Sequence, residues 1–293
     1  MQALLQVGSR SFSHLLNAIE RYLPVLRSLV APGPDARADI LRATGSFWAR
    51  SGQMVGIVLD KLMQYQIVEP ADVVSFAFGE AQDAQGHVQR WELVRSALDK
   101  ARGRLVVAQR KAGALRKEEE DAKAKKLAGT GAAMDVDGAD GAEADAPLVA
   151  KSNEDVSEDV KKAIKACEML ARDERAALAR ALGCFVQRLT APQASRAILQ
   201  ASSWENRDGW GGPEWDTWIL WGWYRHFCRT VSPCRRPNLM VTDSFVPQYA
   251  TQLRANSTTL STLAFQTLAP ADSDPVAAAI RRTWSVAVEG GEP

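Results

Sequence analysis

VRSALDKARGRLVVAQRKAGALRKEEEDAKA, residues 94–124, sets apolar or small side chains at Val94, Leu98, Ala101, Leu105, Ala108, Ala112, Leu115 and Ala122. The steps alternate four and three, then jump seven across Glu119, which takes one slot of the repeat. Residues at that period return to one face of a helix, so the pattern predicts a long helix with a seam for a second one. Around the seam stand Arg102, Arg104, Arg110, Lys111, Arg116, Lys117, Lys123, Lys125 and Lys126, with acids mainly at Glu118 to Asp121. That predicts a basic arm projecting from the body. A matching run follows at Val160, Ile164, Cys167, Ala171, Glu174 and Leu178, continuing through Leu182, Phe185 and Leu189. Between the two runs, residues 128–153 are rich in Ala, Gly and Asp and made acidic by Asp135, Asp137, Asp140, Glu143 and Asp145. Such a composition buries too little apolar area to order itself. The expectation is an antiparallel helical hairpin with a disordered acidic tip.

The sequence before the arm reads as helix after helix. Ser11 or Ser13 is placed to cap the first, whose apolar face is Leu15, Leu16, Ile19, Leu23, Leu26 and Leu29. Pro24 removes a backbone bond and should kink or split it. Ala31-Pro32-Gly33-Pro34 and Ser51-Gly52 are breaks. Between them lies a helix with Ile40, Leu41, Phe47 and Trp48. Met54, Ile57, Val58, Leu62 and Met63 mark the next, and Val73, Val74, Phe76 and Phe78 a shorter one after Pro70. Antiparallel helices joined by short breaks predict an all-α helical-repeat fold, HEAT-like or an armadillo-type superhelix, with the hairpin protruding from it.

After Pro192 a polar loop leads into WDTWILWGWYRHFCR, residues 215–229. Its aromatic and aliphatic residues cover nearly every direction of a helical wheel, which predicts burial on several sides or a partner-facing helix. Leu253, Leu260, Leu263 and Leu268 mark later helices. Asp274-Pro275 is an N-cap followed by proline, opening a last helix with Val276, Ile280 and Trp284.

Composition narrows the function classes. The 293 residues carry 36 Lys plus Arg against 35 Asp plus Glu, a net charge of +1, which argues against a uniformly basic nucleic-acid binder. No apolar run reaches the length of a membrane span, so no membrane partner is expected. Cys167, Cys184, Cys228 and Cys234 form no tight framework and read as reduced thiols of a cytosolic or nuclear protein. Enzyme constellations are missing. His14, His87 and His226 are the only histidines, and Ser13 beside His14 points about 100° away on a helix. Gly211-Gly212-Pro213 lacks the lysine of a phosphate loop, and no His/Cys spacing suits zinc. No catalytic, cofactor or metal site is expected. Core packing is preferred for the Trp cluster, and a solvated arm for the basic helix. If these regions do bind a partner, the candidates are Arg104, Arg110, Lys111, Trp218 and Trp221.

Three stretches carry a resemblance: LLQVGSRSFSHLL at 4–16, GQMVGIVLDKLMQYQIVEP at 52–70 and RWELVRSALDK at 90–100. In order and spacing they resemble the last helical-repeat domain of the large subunit of the nuclear cap-binding complex. That family belongs to a broader group shaped like the middle domain of eukaryotic initiation factor 4G. The charged helix and its acidic tip fall where that family has a long hairpin. The resemblance implies helical repeats over 1–110, a charged arm and tip over 111–155, and a returning arm with closing repeats over 156–293. It implies a non-enzymatic scaffold that clasps the small cap-binding subunit, an RNA-recognition-motif protein, and orders it on the 7-methylguanosine cap. Capped RNA is then reached through that subunit. RNA-processing, export and nonsense-mediated decay factors dock on the scaffold. The expected location is the nucleus, with shuttling to the cytoplasm compatible with the role. The family has two further helical domains ahead of this one, so the chain is expected to be a fragment or a truncated gene model. The rival is another helical-repeat adaptor, in translation initiation.

Overall fold

The computed structural model describes residues 1–79, 86–131, 157–192, 194, 198, 201–229, 257–266, 268, 270 and 274–286. Among these there is no β-strand. The helices are α1 (Gln2–Gly8), α2 (Phe12–Arg21), α3 (Leu23–Val30), α4 (Pro34–Phe47), α5 (Gly52–Gln64), α6 (Pro70–Ala77), α7 (His87–Gly131), α8 (Glu158–Leu189), α9 (Gly212–Arg229), α10 (257–265) and α11 (Pro275–Trp284). A 3₁₀ segment, Ala201–Gly209, precedes α9 where the sequence predicts a polar loop. The fold is an all-α helical repeat. It divides into a larger unit, Met1–Arg102 with Asp173–Pro293, and a smaller one, Gly103–Arg172.

In the larger unit the breaks fall where the sequence puts them. Ser11 caps α2, its hydroxyl accepting from the His14 amide at 3.2 Å. Pro24 splits the expected first helix, because α3 begins at Leu23 with proline in its first turn. Gly33, at φ 131°, turns the chain into α4. The α6 start is closed by reciprocal capping between Glu69 and Asp72. Arg37 of α4 binds the same two acids, at 3.2 Å to Glu69 and 2.6 Å to Asp72.

Some expectations needed correction. A short helix, α1, precedes the first expected one; its 7 residues are too few to display a period, yet Leu5 is fully buried. Gly8 makes its packing possible, since a Cβ there would sit 2.8 Å from the Leu15 Cα. Leu29 and Leu263 are exposed, not on a buried face. Helix α7 runs on through Gly131, four residues into the stretch read as unable to order, as the tail of the Lys- and Ala-rich run at 122–128. Residues 132–153, Cys234 and Leu253 lie outside the described residues.

The core of the larger unit is one continuous cluster from Leu5 to Trp284. Phe185 is fully buried. Its ring meets Phe78 at 5.0 Å, Phe227 at 5.5 Å, Tyr224 at 5.8 Å and Trp91 at 6.4 Å. Tyr224 donates its hydroxyl to the Ile280 carbonyl at 2.8 Å, tying α9 to α11.

Helix α5 ends in a Schellman turn: the Ile67 amide donates to Leu62 O at 2.9 Å and the Gln66 amide to Met63 O at 3.0 Å. The left-handed position falls on Gln66, at φ 58°, where glycine is usual. Replacing Gln66→Gly should therefore raise stability by about 0.5 kcal/mol, read as a shift in urea midpoint without a change of slope. Phe185→Ala should cost about 3–5 kcal/mol in the same assay.

Candidate functional site

A concavity of about 360 Å³ lies within the larger unit, between the end of α6 and the last turns of α8. Its lining includes Ser75, Phe78, Arg180, Cys184, Gln187 and Arg188. The four α8 residues fall at i, i+4, i+7 and i+8, one face of a helix. The C-terminal carbonyls of α6 would be unpaired without partners. Two arginines supply them: Arg90 Nε donates to Ala77 O at 3.2 Å, and the Arg188 guanidinium donates to Phe78 O. Positive charge there also opposes the negative end of the helix dipole. Arg180 Nε donates to Ser75 Oγ at 2.6 Å. Burial pushes the Cys184 thiol up, while Arg180 and Arg188 pull it partly back. The site offers two guanidiniums, a hydroxyl, an amide and a protonated thiol, an arrangement suited to binding.

The sequence reasoning missed these groups. Ser75 and Arg180 are 105 residues apart, and Phe78 and Arg188 are 110 apart. Only the one-face spacing of Arg180, Cys184 and Arg188, off the seam of α8, was visible beforehand.

The predicted partner candidates lie elsewhere. On α7, Arg104 is half-buried, and Arg110 and Lys111 are exposed. On α9, Trp221 is buried and Trp218 is half-buried. Trp218 packs against Trp210 at 5.5 Å and under the Arg225 guanidinium at 5.7 Å. Trp215 meets Trp210 at 5.0 Å and stays exposed. His226 sits edge-on to Trp91 at 5.5 Å, and Cys228 is buried. Ser13 and His14 do not pair; His14 Nδ1 instead lies 2.7 Å from Ser11 Oγ, in the exposed cap of α2. Among the described residues no three His, Cys, Asp or Glu side chains gather as a metal site, and no helix is long and apolar enough to cross a membrane.

The heptad seam of α7 and α8 holds in most slots; Ala108, Leu115, Ile164, Cys167 and Ala171 are half-buried, and Ala122, expected on the seam, is exposed. Leu105, Ala112, Val160, Leu178 and Leu182 are buried. Its two acidic slots are each satisfied. In the larger unit Glu174, 3% exposed, meets Arg102 at 3.4 Å. In the smaller unit the Glu119 carboxylate takes the Ser157 amide at 3.1 Å and Lys123 at 3.0 Å. Ser157 is the residue before α8, so Glu119 plays the part of a capping-box glutamate from a different helix.

The family described as MIF4G like matches residues 1–235. The chain belongs to that family of helical domains. It is similar to nuclear cap-binding protein subunit 1 of Oryza sativa subsp. japonica, 31% identical over 118 residues, 40% of this chain and 14% of that protein. Its counterpart in Arabidopsis thaliana is 34% identical over 107 residues, 36% of this chain and 12% of that protein. Nuclear cap-binding protein subunit 1-B of Xenopus laevis is 30% identical over 101 residues, 34% of this chain and 13% of that protein. The matched part spans 12–14% of the length of these relatives.

The two seam acids have opposite pH signatures. Burial raises the Glu174 carboxyl, with Arg102 pulling against it. Its contribution to stability is present below the ordinary glutamate range and is lost as pH rises through the raised value. Hydrogen bonds from Lys123 and Ser157 lower Glu119. Its contribution is present above the ordinary range and is lost as pH falls through the lowered value. Urea unfolding across the acid range should show the stability of the native chain relative to Glu174→Gln falling as pH rises, and relative to Glu119→Gln rising.

Proposed function

We propose that this chain is a non-enzymatic scaffold of the nuclear cap-binding complex. The observation that carries the reading is the family match over residues 1–235, joined to identities of 30–34% with nuclear cap-binding subunit 1 proteins. In this reading the chain binds the small cap-binding subunit, an RNA-recognition-motif protein, and orders it on the 7-methylguanosine cap. Capped RNA is held through that subunit. RNA-processing, export and nonsense-mediated decay factors dock on the scaffold, in the nucleus and on transcripts leaving it.

The physical basis is a rigid surface that lowers the ordering cost of a partner on binding. The continuous core from Leu5 to Trp284 supports such a surface in the larger unit. Residues 1–110 open the repeats, 111–155 supply the charged arm and acidic tip, and 156–293 return and close. Arg104, Arg110 and Lys111 are the candidate cationic contacts. Trp218 is the candidate aromatic contact, with buried Trp221 placed behind the surface. The rival reading, equally compatible with the description MIF4G like, is another helical-repeat adaptor in translation initiation.

The test mixes the recombinant chain with the small cap-binding subunit on 7-methylguanosine resin. The 32.0 kDa chain should be retained only when the small subunit is present, and released by free cap analogue. Arg110→Glu with Lys111→Glu should weaken retention about tenfold, or about 1.4 kcal/mol. Retention of the subunit without the chain, and capture of an RNA helicase by the chain instead, would move the assignment to the initiation adaptor.

A further inference from the structure

We infer that the concavity between the end of α6 and the last turns of α8 is a docking site for an acidic peptide segment of a partner protein. The inference names neither cap nor small subunit and stands independently of the cap-complex reading.

Charge complementarity carries it. Arg180 and Arg188 both line the cavity, and its described lining contains no carboxylate. A guanidinium has five N–H donors. The acceptors these two arginines take are neutral, the Ser75 hydroxyl and the Phe78 carbonyl. Most of their donors are left for a ligand, and carboxylate is the group that a guanidinium fork matches with two parallel bonds. Gln187 and Ser75 add polar groups beside them.

Spacing selects the ligand. The backbones of the two arginines stand eight residues apart on α8, about 12 Å along the axis, while their guanidiniums reach acceptors only three residues apart at the end of α6. An extended peptide rises about 3.3 Å per residue, so acids two to four residues apart lie about 7–13 Å from each other and span both. Cys184 stands midway on the same face, and Phe78 lines the wall. Its thiol is kept protonated by burial, giving a neutral floor for the residue between the two acids. The volume of about 360 Å³ suits a few side chains and lies at the small end of ligand sites. Single-stranded RNA is the poorer fit, because strands bind by stacking bases on open aromatic faces. Phe78 is 7% exposed and packed edge-on against Phe185.

The test is fluorescence polarisation with the full 293-residue chain. The probe is a fluorescein-labelled peptide with Glu-Ala-Leu-Ala-Glu at its centre. Comparison probes are the Gln-Ala-Leu-Ala-Gln peptide and an oligo-uridylate of equal charge. The glutamate peptide should bind at least about tenfold more tightly than the glutamine peptide. Gln187→Glu keeps both arginine hydrogen bonds and places a carboxylate in the cavity; it should weaken binding about tenfold, as should Arg180→Gln. Bound peptide should also slow alkylation of Cys184, located by mass spectrometry. Equal affinity for the two peptides would overturn the proposal. So would unchanged binding in both variants with native circular dichroism, or oligo-uridylate binding more tightly than the peptide. Cap-resin retention has no bearing on any of these outcomes.

Discussion

Phe185 is the ring on which the larger unit depends. It brings together Phe78 from the end of α6, Trp91 from the start of α7, and Tyr224 and Phe227 from α9. These partners span nearly 150 residues of chain, so their convergence is a tertiary constraint that no local propensity supplies. Aromatic packing at these separations contributes beyond area burial, and the edge-on contact with Phe78 fixes angle as well as distance. Arg188 lies three residues further along α8, nearly one turn. The contact that seats Phe78 therefore also delivers Arg188 to the Phe78 carbonyl. The core and the polar concavity are two consequences of one packing event.

Charges in this fold serve mainly as caps and seam locks. Arg37 reinforces the α6 start, Arg90 and Arg188 close its end, and Glu119 closes the start of α8. Arg90, Arg188 and Glu119 satisfy backbone groups that would otherwise be unpaired next to packed surface, and Arg37 adds a cation to acids already engaged in the cap. Acids in two seam slots also work against misregistration, because slipping α8 would move Glu174 away from Arg102 and leave a buried carboxylate without its cation. That is the coiled-coil use of an occasional polar core residue: it costs some stability and specifies alignment.

The sequence made the local structure legible. Pro24, Gly33-Pro34, Ser51-Gly52 and Asp274-Pro275 are punctuation with a mechanical meaning, and each falls at a helix boundary in the fold. Most heptad slots, including the two acidic ones, could be read in advance because their period is local; Ala122, exposed, is the slot that the period alone misassigns. Three features were not legible in that way. Helix α1 is too short to show a period and is held by the close approach at Gly8. Leu263 fits an apolar pattern but faces outward, since periodicity does not say which of several partial faces is covered. The Arg180–Ser75 and Arg188–Phe78 contacts join segments more than a hundred residues apart, and a lone arginine on a helix surface gives no sign of its acceptor. The family resemblance, carried by residues 4–16, 52–70 and 90–100, reached further than the pattern reading because it brought tertiary arrangement with it.

Cys228 has a consequence of its own. It is buried on α9 beside Tyr224, whose hydroxyl is held by the Ile280 carbonyl of α11. Burial pushes its thiol up to about 12, so in the closed molecule almost no thiolate exists and no reagent reaches it. Chemical modification at this sulfur proceeds through molecules in which α9 and α11 have come apart. The thiol is therefore an internal gauge of how often the end of the chain opens, reporting a free energy of local unfolding that a global melting curve averages away.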